Sequence, residues 1–375
     1  MNAARLVLPL AVALWITAAP ALATDGVWGE AAPPDYRFWH STVYDPVNHR
    51  MVLFGGFDGI NGLNDVWVMD LATPPIWRRL VPDGEPPIER FSQSAVFDAG
   101  RNRMIVFGGA CNGTSFTPLN DVWVLELSAP AHWTKLVLTG GPTPRFGSTA
   151  VFDRVRDRML VFGGGSNSSG VFSDVWALSF TGTPAWTQLA GNVAPTGGRI
   201  WSAAVLDSTG DRMLVEGGAV QGGPGGIQST DDTWALKLGD GTTWTQIVTG
   251  NSPGFRYGHT LTFDPVRRQL VVNGGFDTYS SLYPSDTRLL PLGGPLNWSS
   301  APTTGAAPPP GLGGAAIYDS RTETVRFTCG WGEDPSKIAC ASARPSGGFQ
   351  RSRPRRRRPP AASNPRSRGT PRIAI

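Results

Sequence analysis

Along most of the chain, apolar residues gather in runs of about five to seven, rich in β-branched and aromatic side chains. Gly, Pro and Asp bound these runs, which is the pattern of short strands joined by tight turns rather than of long helices. One stretch shows the sequence of elements. Ser94–Asp98 predicts a first strand (a), and Arg103–Gly108, with the sequence Arg-Met-Ile-Val-Phe-Gly, predicts a second (b). Asp121–Leu127 predicts a third (c), with Val122, Val124 and Leu127 among its apolar positions, and a fourth (d) starts at Trp133.

This set of four recurs. Gly-Gly pairs stand at Gly55-Gly56, Gly108-Gly109, Gly163-Gly164, Gly217-Gly218 and Gly274-Gly275, at steps of 53, 55, 54 and 57 residues. Ten residues before each first glycine lies an aspartate: Asp45, Asp98, Asp153, Asp207 and Asp264. The same offset from Asp319 reaches Cys329-Gly330, a degraded sixth copy. After each of the first four glycine pairs comes Asp-x-Trp (Asp65/Trp67, Asp121/Trp123, Asp174/Trp176, Asp232/Trp234), which becomes Asp286/Arg288 in the fifth copy. A further Trp follows ten residues later in all five: Trp77, Trp133, Trp186, Trp244 and Trp298. A spacing kept while the loops change length marks a repeat architecture. The Asp-x-x-x-x-Arg segments between strands a and b (Asp98/Arg103, Asp153/Arg158, Asp207/Arg212) read as turn chemistry on a solvated edge.

The run Arg145–Leu189, with its di-glycine after the second strand and its spaced aromatics, resembles a kelch repeat. The resemblance extends over about residues 36–330 and implies an all-β fold, a β-propeller whose four-stranded blades pack radially around a channel. A lone four-stranded sheet cannot cover both its faces, and stacked neighbours supply the cover. The Trp and Gly-Gly sets are then structural, as inter-blade packing and close backbone approach. About six blades are expected, with Trp28 belonging to an N-terminal strand that closes the last one. That last blade would draw strands from Ala315–Asp319, Thr324–Thr328 and the vicinity of Lys337–Ala343.

The N-terminus assigns a compartment. Arg5, the apolar run Leu6–Ala19 and Ala21-Leu22-Ala23 form the pattern of a secretory signal peptide over residues 1–23. The expected organisation is therefore a propeller over 24–343 and a tail over 344–375, in a secreted or periplasmic monomer without a membrane span. The formal charge of +4 belongs to the end of the chain, since residues 337–375 carry Lys337 and ten Arg with no acid. Residues 24–336 hold 21 basic and 29 acidic groups, which argues against a nucleic-acid partner for the folded body. The tail is open to three readings: an electrostatic arm, an unstructured extension, or a frame-shifted translation beginning inside the sixth copy. Cys111, Cys329 and Cys340 are odd in number, so at least one lacks a partner within the chain.

No nucleophile elbow, phosphate loop or His-Glu-x-x-His motif is present, and no catalytic residue, metal or cofactor is assigned. By the resemblance, the b–c and d–a loops share one face, where variable loops on a rigid scaffold serve recognition. They hold Phe57, Phe116, Phe172, Tyr279 and Tyr283. Before each strand a stands an arginine, namely Arg37, Arg90, Arg145, Arg199 and Arg256, and the resemblance places these on the same face. They either grip ligand carboxylates as a ring of guanidiniums, or each ties down its own d–a loop or pairs with a neighbouring blade's acid. The expected function is a non-catalytic binding module for a protein or glycan on that face. The competing class is an extracytoplasmic enzyme in the channel, a galactose-oxidase-like oxidase or a sugar-modifying activity. His40 and His259 occupy one repeat position and are expected to pack equivalently.

Overall fold

A computed structural model describes residues 29–30, 34, 36–331, 341–343 and 349–351, apart from 73–74, 113–115, 190–194, 196, 223–225, 240, 302–310 and 329. The residues expected as signal peptide, Trp28, Cys329, Cys340 and most of the tail lie outside these.

The chain is a β-propeller. Blade one is built from Ser41–Asp45, Arg50–Phe57, Gly62–Asp70 and Ile76–Leu80 as strands a to d. Blades two to four repeat this antiparallel order, with strands a at Ser94–Asp98, Thr149–Asp153 and Ala203–Asp207, and strands b at Arg103–Phe107, Arg158–Phe162 and Arg212–Glu216. Blade five has Thr260–Asp264, Gln269–Asn273, Thr287–Pro291 and the short Ser299–Ser300. Five sheets thus carry the whole repeat, against the six or so expected. The remaining sector holds the hairpin Ala315–Asp319/Thr324–Thr328, to which Ala341–Ala343 and Phe349–Arg351 add short strands. The last of these falls within the stretch expected as tail.

The N-terminal strand is a correction. Gly29–Glu30 pairs with Arg78 and Arg79 on the outer strand of blade one, so it widens the first blade instead of completing the last. The ring meets through the inner hairpin, since Ala315–Asp319 packs between Thr260–Asp264 and Ser41–Asp45.

Packing between blades explains the tryptophan register. In blades two to four the strand-d Trp lies on the Phe just before the preceding blade's glycine pair: Trp133 on Phe54 at 4.9 Å, Trp186 on Phe107 at 5.3 Å, Trp244 on Phe162 at 4.9 Å. The glycine pair follows that Phe because the next blade's chain crosses there. A side chain at Gly108 (φ +62°) would meet the Arg145 carbonyl at 2.8 Å.

The a–b turns differ from the expected solvated edge. Asp45, Asp98, Asp153, Asp207, Asp264 and Asp319 are buried. Each accepts from its own turn and from a basic neighbour, as Asp45 does from the Val47 and Asn48 amides and from Arg50 Nε at 2.7 Å. Buried carboxylates require this many donors. The turns also stitch blade to blade, through Arg101 to Asp157, Arg156 to Asp211 and Arg267 to Glu323.

Candidate functional site

The five arginines come together with five aspartates, and the geometry is that of a tie within each blade. Arg37 donates to both oxygens of Asp65 at 2.6 and 3.0 Å and to the Gly55 carbonyl at 3.1 Å. Arg90 does the same with Asp121 and Gly108, and Arg145 with Asp174 and Gly163. Arg199 holds Asp232 at 2.6 Å, and Arg256 holds Asp286 at 3.2 Å. The indole N–H of Trp67, Trp123, Trp176 or Trp234 donates to the same aspartate from two residues away. Asp-x-Trp is therefore the receptor for the arginine that opens each of the first four blades. Burial pushes the carboxyls of Asp65, Asp121 and Asp174 up, but the arginine bonds and charge outweigh it, and all three stay below the usual carboxylate range.

The guanidiniums are 0–3% exposed. The geometry supports the structural reading of these residues, because a ligand carboxylate would have to displace one already bound, in a bidentate fork at Arg37, Arg90 and Arg145.

The predicted aromatics divide. Phe57 packs on Phe38, Phe91 and Phe116 at 5.5, 5.0 and 5.9 Å, and Phe116 meets Phe91 at 5.0 Å. Phe172 lies under the Arg145 guanidinium at 4.1 Å, and Tyr283 packs on Phe276 at 5.0 Å. These four are half-buried. Tyr279 alone of the five stands out, at 60% exposure.

Sequence reasoning missed the residues that close the axis. Two positions after each arginine, and at Gly313 in the sixth sector, the chain takes a left-handed conformation: Trp39, Ser92, Gly147, Trp201, Gly258 and Gly313, with φ between 52° and 70°. Their backbones form a closed ring. Ser92 donates to Trp39, Gly147 to Ser92, Trp201 to Gly147, Gly258 to Trp201, Gly313 to Gly258 and Trp39 to Gly313, all at 2.7–2.9 Å. Trp39 and Trp201, three places apart around this ring, stack across it at 5.6 Å with 4° between planes. Phe38, Phe91, Phe146, Ile200 and Leu312, each next to a ring residue, complete an apolar plug. A small cavity remains there, lined by Trp39, Phe91, Ser92, Phe116, Phe146, Asn167 and Trp201. The signal lay in the sequence as Gly, Ser or Trp at a fixed offset from arginine. It is hard to see because Trp rarely takes this conformation.

His40 and His259 are equivalent in place, each reaching the last strand-b residue of the preceding sheet, Thr328 at 2.7 Å and Glu216 respectively. Burial, with the Arg37 charge second, pulls the His40 pKa down to about 3. The unfolded chain takes up this proton near pH 6.5, so stability is lost as pH falls below that value towards 3. Between pH 7 and pH 5 the loss through this group is about 2 kcal/mol. Urea denaturation of the wild type and His40→Gln at both pH values checks this: the variant should lack that part of the slope.

The described residues contain no group of three His, Cys, Asp or Glu placed to hold a metal ion. They also contain no helix long and apolar enough to cross a membrane.

The family described as the KLHDC2/KLHL20/DRC7 Kelch-repeats domain matches residues 24–190 and 131–325. The chain belongs to the kelch-repeat family. Among curated proteins it is 31% identical to Adagio-like protein 3 of Oryza sativa subsp. japonica over 252 residues, 64% of this chain and 38% of that protein. It is 31% identical to Adagio protein 3 of Arabidopsis thaliana over 204 residues, 53% of this chain and 30% of that one. This kelch chain thus spans about a third of the length of the curated relatives it matches. A solved structure titled "Structure of YjhT" superposes with a TM-score of 0.63 at 16% identity, covering 86% of this chain and 98% of that one. That likeness concerns the fold alone.

Proposed function

We propose that this kelch propeller is a non-catalytic module that binds a protein through its b–c and d–a loops, outside the cytoplasm and after removal of residues 1–23. The observation that carries the reading is the plug. With Trp39 and Trp201 stacked across the ring, the loop face offers a surface of loop tips rather than the mouth of a channel. The ring itself supports a propeller of six sectors, the sixth contributing Gly313. Kelch repeats commonly serve protein interaction, which favours a protein over a glycan. The channel-based oxidase or sugar-modifying reading draws less support, since the indoles occupy the axis at the loop end.

Purified mature protein, whose first residue should lie near Thr24, is to be tested on paired protein and glycan arrays. Retention on protein spots should fall at least tenfold when the exposed loop residues Ile60, Ile88, Tyr279 and Leu282 become serine. It should persist when Val47, Val155 and Val266, exposed on the a–b turns of the other face, are changed in the same way. Loss with the second set, or retention confined to glycans, overturns the reading.

A further inference from the structure

The repeat supplies its own control: where four blades solve a structural problem one way, a departure in the fifth is not required by folding. In blade five the Trp of Asp-x-Trp is Arg288, whose guanidinium is taken up by the carbonyls of Asn251 and Ser252 at 3.1 and 3.5 Å and by Ser300 Oγ at 3.4 Å. Asp286 is left with one bond at 3.2 Å from Arg256 and with Arg288 at 3.9 Å, and its side chain is 41% exposed against 17–22% for its four counterparts.

The adjoining b–c loop is also unlike the others. Asp277 accepts from the Tyr279 amide at 2.8 Å and from Ser280 Oγ at 2.6 Å, and Ser229 of blade four braces Thr278 at 3.0 Å. This fixed turn lifts Tyr279 and Leu282 into solvent at 60% and 64% exposure, with the Phe255 ring 4.6 Å from Tyr279. Rigid exposed aromatics are the usual anchors of an interface. The surrounding charge says what they anchor. Among the described residues of these loops each buried arginine is cancelled by its own blade's aspartate. Arg288 has no acid of its own, since Asp286 already answers Arg256. Asp231, which accepts from Ser252 Oγ at 2.6 Å, and Asp277 stand beside the patch and outnumber Arg288, and Asp58 and Glu89 belong to the blade-one loops. Burial raises the Asp277 carboxyl, but bonds from Ser280 and the turn amides outweigh this, so it stays charged. The sign is opposite to the one an arginine ring suggests.

We propose that this blade-five patch docks an arginine-bearing segment of a partner protein, its guanidinium stacked on Tyr279 and Phe255 and paired with Asp231. The assignment rests on the loop face being the binding face. It is tested on the full chain by fluorescence anisotropy with two labelled dodecapeptides, one alternating Arg and Leu, the other Glu and Leu. The basic probe should bind at least tenfold more tightly. Tyr279→Ser with Leu282→Ser should weaken it at least tenfold, and Asp231→Asn severalfold. Preference for the acidic probe, or wild-type binding by the Tyr279/Leu282 variant, overturns the proposal. If the basic probe is instead lost on Ile60→Ser with Ile88→Ser, the face reading survives and this one fails; if neither variant matters, both fail. Photo-cross-linking of the chain's own Arg355–Arg358 to the Tyr279 turn would give the patch to the tail and also overturn it.

Discussion

Arg145→Ala is expected to cost about 3–5 kcal/mol of folding stability, the range for removing one partner of a buried ion pair. Arg145 is fully buried, and its removal leaves Asp174 and the Gly163 carbonyl without their main donor and Phe172 without the cation above it. Asp174 is 22% exposed and recovers some solvation, which places the effect towards the lower end. An exposed ion pair would cost only about 0–1 kcal/mol. Arg145→Lys should recover part of the loss, since it restores charge without the planar fork. Urea denaturation gives the stability, and ligand retention per folded molecule should stay unchanged. An unchanged midpoint with retention abolished would return these arginines to ligand recognition.

The repeat made the architecture legible and the site much less so. Fixed spacing between Gly-Gly, Asp-x-Trp and the later Trp follows from one blade packing on the next, so strand order and most strand bounds could be read directly. Strand bounds for Ala315–Asp319 and Thr324–Thr328 were legible for the same reason. The N-terminal strand was not, because two residues of backbone pairing on Arg78 and Arg79 leave no side-chain pattern. The arginines were visible as a column, but their partners sit 28 to 33 residues on, across two strands and a loop of variable length. A charge read along the chain does not say whether it is already answered. Thus a column of arginines that looked open to a ligand is already paired, and the prominent aromatics, Tyr279 apart, pack among the loops. The ring positions of Trp39 and Trp201 are not legible, because nothing in their local sequence announces a left-handed backbone.

The second large effect is expected at the seam between blades four and five. Phe54, Phe107 and Phe162 stand just before the glycine pair in the first three blades, and blade four has Glu216 in that place, fully buried. Its Oε2 lies 2.5 Å from Nε2 of the equally buried His259, though not along hydrogen-bonding angles. Two polar groups brought together this far from water are sensitive to loss of either one. Glu216→Ala should therefore cost about 3–5 kcal/mol, and His259→Ala a similar amount. The chain itself contains the alternative solution. At the seam between blades one and two, Phe54 faces Gln93, whose amide donates to the Phe54 carbonyl at 2.9 Å and to Ser41 at 3.1 Å. Glu216→Phe with His259→Gln rebuilds that arrangement, except that Ala203 stands where Ser41 would accept. Exchange of a buried pair for apolar packing is often neutral or stabilising by about 1–4 kcal/mol, so the double variant should match or exceed the wild type. A double-mutant cycle by urea denaturation decides it. If the double variant is as unstable as Glu216→Ala, the pair is not interchangeable with the packing used elsewhere in the ring.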